Sequence, residues 1–174
     1  VDSQLRLAIT EHSRRFGEAP AGVWPAEGAI STAFLGLLGA HGFKWTASGG
    51  KVLMNSLRGP EEDPQRTIYR PYRHVGNAPD LALFFRDDRL SDLIGFEYAK
   101  WNGHDAAVNF VSELEAIASK ASSGETPLVS VILDGENCWE FYAYNGYYFL
   151  DELYRLLESH PVIHTTTYRS YLSE

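Results

Sequence analysis

Apolar residues recur along this chain in two rhythms, one of period 3.6 and one of continuous short runs, and the two alternate. From Gln4 to Phe16, Leu5, Leu7, Ala8, Ile9 and Phe16 predict a helix. A Gly/Pro/Ala turn over residues 17–22 leads into a short strand, Val23-Trp24-Pro25. Ile30, Ala33, Phe34, Leu37 and Leu38 follow the helical period over Ala29 to His41, and Gly42 sits where a helix would stop. Phe43 to Thr46 reads as a strand.

Punctuation then takes over. Gly49-Gly50 and residues 58–65 are loop-like, and Gly59 to Pro64 is the most exposed-looking stretch. Thr67 to Arg73 is β-prone, but Pro71 cannot donate to a ladder and restricts it to an edge or a bend. Residues 49–77 are therefore the best candidate for an insertion or flap.

The second half is more regular. Leu81-Ala82-Leu83-Phe84-Phe85 is apolar at every position, the mark of a strand buried on both faces, and it ends in Arg86-Asp87. Helical patterns cover residues 88–98 and 105–119, with a turn at Ser122-Ser123-Gly124. Leu128 to Leu133 predicts the clearest buried strand, residues 146–159 a helix, and Val162 to Thr166 a last strand. Strands alternating with helices define an α/β fold with mostly parallel strands, as a sheet or a barrel with helices outside.

Length and composition narrow this. A chain of 174 residues supports one domain with a real core, and no internal repeat divides it. Fifteen basic against 23 acidic residues leave a net charge of −8 with no basic run, which argues against nucleic acid or an anionic membrane as partner. No apolar stretch approaches the about 20 residues that span a bilayer. The single cysteine, Cys138, excludes an internal disulfide and a cysteine-based zinc cluster, and favours a reducing, cytoplasmic setting.

Candidate chemistry gathers where strands end, because loops at the carboxyl edge of a parallel sheet converge on one crevice. Glu27 follows the first strand and precedes Gly28, and Trp24 lies just upstream. The competing role for Glu27 is to cap the helix beginning near Ala29, where the dipole favours a carboxylate. Asp134-Gly135-Glu136-Asn137 follows an almost wholly apolar strand, so polarity begins abruptly at Asp134; an Asx-turn with helix capping is the alternative. Arg86 and Asp92 could hold substrate hydroxyls or orient Glu27, while Asp88 and Arg89 suit structural ion pairs equally well. Trp24, Trp45, Trp139 and the run Phe141 to Tyr144 cluster near expected strand ends, where sugar rings stack on aromatic faces. The six histidines form no metal-binding spacing, no cofactor is implied, and Cys138 has no histidine near it in sequence.

Three segments, in this order, resemble glycoside hydrolase family 57, the α-amylase and 4-α-glucanotransferase family with a (β/α)7 barrel. Gly22-Val23-Trp24-Pro25-Ala26-Glu27-Gly28-Ala29-Ile30-Ser31 resembles its GLWPSEGSVS segment. Residues 85–96 resemble its FRDxxLSDxIGF segment, and Ile132 to Glu140 its ILDGENAWE segment. The likeness runs from near residue 5 to the end of the chain. It implies that Glu27 is the catalytic nucleophile and Asp134 the general acid/base of a retaining reaction at an α-glucosidic bond. Trp24, Trp45, Arg86, Asp92, Glu136 and Trp139 are then expected at the substrate, an α-glucan oligosaccharide or polysaccharide. Retention requires the carboxyl groups about 5–5.5 Å apart, with Glu27 ionised and Asp134 kept protonated.

One departure shapes the expectation of domain organisation. The family opens with a His-Gln-Pro strand that is not found here, and barrels typically need about 250 residues. Residues 1–174 are thus expected to be a single domain forming the C-terminal part of a larger catalytic barrel, a partial (β/α)7-type barrel. An incomplete barrel edge predicts self-association or weak activity. A glucan-binding chain without turnover, and a metal-dependent carbohydrate deacetylase, are the alternatives; the second needs an Asp/His metal cluster.

Overall fold

The computed structural model describes residues 1–57, 68–76, 80–136 and 138–173. Helix α1 (Asp2–Phe16) ends at Gly17, whose left-handed backbone (φ 80°) lets its N–H donate to the Ser13 carbonyl. Strand β1 (Gly22–Val23) passes into a single 3-10 turn, Ala26–Gly28, before helix α2 (Thr32–Ala40). The start of α2 is set by Ser31, whose hydroxyl accepts the Phe34 N–H.

Strand β2 (Trp45–Gly49) runs directly into helix α3 (Gly50–Ser56). This corrects the expectation of a loop or flap beginning at Gly49-Gly50. The glycines serve a close approach: a Cβ on Gly50 would lie 2.9 Å from the Arg86 carbonyl. Leu53 then buries α3 against the sheet. Residues 58–67 and 77–79, including the Gly59–Pro64 stretch, lie outside the described residues.

Strand β3 (Tyr72–Arg73) follows Pro71 and pairs antiparallel with strand β4 (Ala82–Arg86). In β1, β2 and β4 the chain adds each parallel strand beside the last, Gly22 opposite Trp45 and Trp45 opposite Ala82. Stepwise addition in one direction, with no reversal of order, is the winding of a barrel wall rather than of a doubly wound sheet. Together with the helices this makes the molecule a mixed α/β structure, an arc of a barrel.

Leu128–Leu133 was expected as the clearest strand, but it makes one bridge, Ser130 to Arg86. The reason is competition for the edge of β4. Strand β3 already takes the Ala82 and Leu83 positions, so the segment meets β4 only at its carboxyl end. Its other bonds come from elsewhere: Leu128 N–H donates to the Tyr69 carbonyl, and Ile132 N–H to the Ser91 hydroxyl. The last strand expected at 162–166 is also absent; this stretch pairs with no strand among the described residues.

After β4 the chain forms helix α4 (Asp88–Asp92), a π-helical turn (Leu93–Glu97) and a 3-10 turn (Tyr98–Lys100), where one helix was expected. Within the π turn, the Ile94 carbonyl accepts a hydrogen bond from the buried Tyr142 hydroxyl. Helix α5 (Gly103–Ser119) packs on helix α6 (Tyr147–Glu158); a short helix α7 (Tyr168–Tyr171) ends the chain.

Two hydrophobic cores form, the first of them against the sheet. Leu83 and Phe85 of β4 pack with Leu5, Leu35, Leu38 and Leu53 of the first three helices. Leu90, Ile94, Phe110 and Phe149 centre the second core, between α4, α5 and α6. On the opposite face of β4, Phe84 stacks on Tyr168 of α7, ring centroids 4.1 Å apart. That double burial is what the unbroken apolar run at 81–85 encodes.

Candidate active site

The first carboxylate is held by an unusual backbone. Glu27 adopts φ 56°, ψ 20°, and Gly28 follows at φ 64°. A left-handed conformation costs a residue with a side chain about 1–2 kcal/mol. Such strain persists only where the surroundings impose it, and it concentrates at functional sites. The surroundings are specific. The Trp24 ring closes over Gly28, where a Cβ would come within 2.8 Å of it. From beneath, the fully buried Ser48 hydroxyl donates to the Gly28 carbonyl at 2.5 Å. Glu27 itself points to solvent and does not cap α2, a role that Ser31 performs.

The second carboxylate, Asp134, is exposed at the end of the 128–133 segment, with Gly135 and Glu136 exposed beside it; Asn137 lies outside the described residues. What fixes this loop is Arg86. Its Nε donates to the Ile132 carbonyl at 2.9 Å, Nη1 to Asp88 Oδ1 at 3.0 Å and Nη2 to Asp92 Oδ1 at 2.8 Å. Arg86 and Asp92, expected at the substrate, pair with each other, and Arg86 also bonds the backbone. The second oxygen of Asp88 accepts the Lys51 N–H at the start of α3. A continuous polar chain thus runs from the α3 terminus to the Asp134 loop.

The neighbouring charges are structural. Asp87 is buried, caps α4 through the Leu90 N–H and accepts the Tyr69 hydroxyl at 2.7 Å. Burial, and then the Asp87 carboxylate, push the Tyr69 phenol well above its ordinary range. Arg89 pairs with Glu113 at 2.8 Å. Burial raises the Cys138 thiol, with Asp134 and Glu136 adding to it, so the group is held as a thiol rather than a nucleophilic thiolate.

The tryptophans divide. Trp24 is 38% exposed and stands beside Glu27. Trp45 opens β2, at the opposite end of the strand from Gly49. Its ring lies across Gly22 and edge-on to Tyr168, so it is remote from the carboxyl edge where it was expected. Trp139 packs on Tyr142 and Phe149 and shields Gly146, and so belongs to the second core. Near Trp139, the rings of Phe141, Tyr144, Tyr147 and Tyr148 are exposed. Tyr144 and Tyr147 both meet Tyr148 edge-on with centroids 5.3 Å apart. Tyr144 and Asn145 share the left-handed φ of 53°, a turn that no residue pattern announced.

Ser48 and Ser91 were also missed. Each looks like an ordinary small polar residue, and only burial reveals that its hydroxyl replaces a missing sheet bond. His41 pairs with Asp2, His104 with Glu152 and His160 with Glu115. Among the described residues no group of three or more His, Cys, Asp or Glu is placed to hold a metal ion, and no helix is long and apolar enough to cross a membrane.

An arc of parallel strands with one carboxylate, Glu27, after its first strand and another, Asp134, after the segment that bridges the end of its last defines a barrel-type α/β protein with acids at one edge. A family model described as "Glycosyl hydrolase family 57" matches residues 1–174, and the chain belongs to that family. Among solved structures it is similar to the 4-alpha-glucanotransferase from Thermococcus litoralis, at 21% identity and TM-score 0.67, over 98% of this chain and 24% of that one. It is also similar to the alpha-amylase AmyC from Thermotoga maritima, at 16% identity and TM-score 0.77, over 99% of this chain and 44% of that one. The chain thus spans less than half the length of either. A search of curated protein sequences found no match.

Proposed function

We propose that this chain carries the two catalytic carboxylates of a retaining enzyme that cleaves or transfers α-glucosidic bonds of an α-glucan. The observation that carries the proposal is the strained Glu27 turn at the end of β1, held between Trp24 and Ser48. A nucleophile gains from a fixed position more than from flexibility, because preorganisation removes entropy from the barrier.

In the first step a Glu27 carboxylate oxygen bonds to the anomeric carbon. The glycosidic C–O bond breaks as the Asp134 proton passes to the leaving oxygen. In the second step Asp134, now a carboxylate, takes a proton from water or from an acceptor sugar hydroxyl. That oxygen displaces Glu27 and restores the starting protonation. Asp134 is exposed in this chain. Trp24 would offer a ring face to the sugar beside Glu27.

Residues 1–174 are further read as one part of a larger catalytic barrel. Glu27 follows β1, and Asp134 follows the segment that bridges β4 at Arg86 and Ser130. The outer edge of β1 pairs with no strand among the described residues, and there a further strand, or a second copy of the chain, would join.

Glu27→Gln and Asp134→Asn test the assignment in the full-length protein with maltoheptaose. Each is expected to abolish cleavage and transfer while melting stays within a few degrees of the parent. Parental turnover in either variant overturns the role given to that residue.

A further inference from the structure

We infer that Ser48 is a positioning residue for Glu27, acting through the Gly28 carbonyl; this rests on the proposed role of Glu27 as nucleophile. The need for it begins in the local sequence. Ladder pairing between β1 and β2 stops at Val23 opposite Thr46. Two residues on, Pro25 has no N–H with which to continue it. Beyond Val23, the side chains of β2 take over. Thr46 Oγ1 donates to the Val23 carbonyl at 2.8 Å, and Ser48 Oγ to the Gly28 carbonyl at 2.5 Å. Both residues are 0% exposed, so neither hydroxyl has water as an alternative partner.

The Ser48 bond matters more than its neighbour because of what it holds. Glu27 is a non-glycine residue at φ 56°, and its natural relaxation is to rotate out of the left-handed region and swing the carboxylate. Such a rotation must move Gly28 with it. The Gly28 N–H is held by the Pro25 carbonyl at 2.9 Å, the Gly28 carbonyl one peptide further on is held by Ser48, and the Trp24 ring covers the residue. Among the described residues no side chain hydrogen-bonds the Glu27 carboxylate, so its direction is set through the backbone. Ser48 thus fixes the aim of a group it does not touch.

The experiment compares Ser48→Ala and Ser48→Thr with the parent, in the full-length protein. For Ser48→Ala, kcat on maltoheptaose is expected to fall at least tenfold with KM within twofold, and Ser48→Thr to recover most of the loss. In crystals of Ser48→Ala, Glu27 is expected to leave the left-handed region. A parental kcat in Ser48→Ala, or a Glu27 backbone unchanged in its crystals, overturns the inference. A fall in kcat/KM carried by KM, or tracking a loss of folded protein, assigns Ser48 a merely structural role and also overturns it. Glu27→Gln, run in parallel, separates the two ideas. Turnover surviving in Glu27→Gln refutes the nucleophile, whereas an inactive Glu27→Gln beside a fully active Ser48→Ala refutes only the positioning role.

Discussion

Arg86 Nε donates to the carbonyl of Ile132 at 2.9 Å, two residues before Asp134, and the same guanidinium holds Asp88 and Asp92. A segment with one bridge to the sheet is thereby fastened by a side chain. Replacing Arg86 by Met removes all three ties and leaves two carboxylates without their cation. The expected cost is about 3 kcal/mol, read from urea unfolding. Arg86→Lys should recover little of it, since an ammonium cannot span three directions as the planar fork does.

The strained turn makes an opposite prediction. Glycine adopts φ 56° without the penalty that a Cβ incurs, whereas alanine keeps it. Glu27→Gly is therefore expected to be more stable than Glu27→Ala by about 1 kcal/mol in denaturant titrations. Equal stability of the two would show that the turn is not strained in solution.

Gly22 is the most crowded glycine of the sheet. An added Cβ would lie 2.0 Å from Cδ2 and Cε2 of Trp45. Gly22→Ala should destabilise the fold by about 1–3 kcal/mol. In a Trp45→Leu background the same change should cost measurably less, because the two positions share one space.

Glu152 makes one contribution to the pH response. Hydrogen bonds first from Arg155 and then from His104 lower its carboxyl to about 2. A group whose folded value is depressed contributes stability above its unfolded value, near 4.5, and loses it as pH falls toward 2. Melting temperature should accordingly fall less steeply between pH 5 and 2 in Glu152→Gln than in the parent. Parallel profiles for the two proteins would refute the assignment.

Much of this was legible along the chain. The helices at α1, α2, α5 and α6 follow from their 3.6-residue periodicity, and β4 from its unbroken apolar run. Each has a pattern long enough to outweigh local exceptions. The Gly49-Gly50 junction misled because glycine marks both a flexible loop and a close backbone approach. Only the Arg86 carbonyl 2.9 Å from the Gly50 Cβ position decides between them. Leu128–Leu133 misled for a different reason. Its residues suit a strand, but strand formation also needs a free edge, and β3 occupies the first two positions of the one available.

The candidate site divides in the same way. Glu27 and Asp134 were marked by the three segments resembling the family, because carboxylates after apolar runs stand out in one dimension. The company they keep does not. Trp24 stays beside Glu27 while Trp45 and Trp139 turn into ring packing, though all three are the same residue type near a strand. Ser48, 21 positions from Glu27, reaches the Glu27 turn only because β1 and β2 pair in parallel. Residue type and spacing determine which groups could react and which segments can be regular. Which hydroxyl meets which carbonyl, and which side chain is strained, depends on pairings distant in sequence, and only the folded chain sets those.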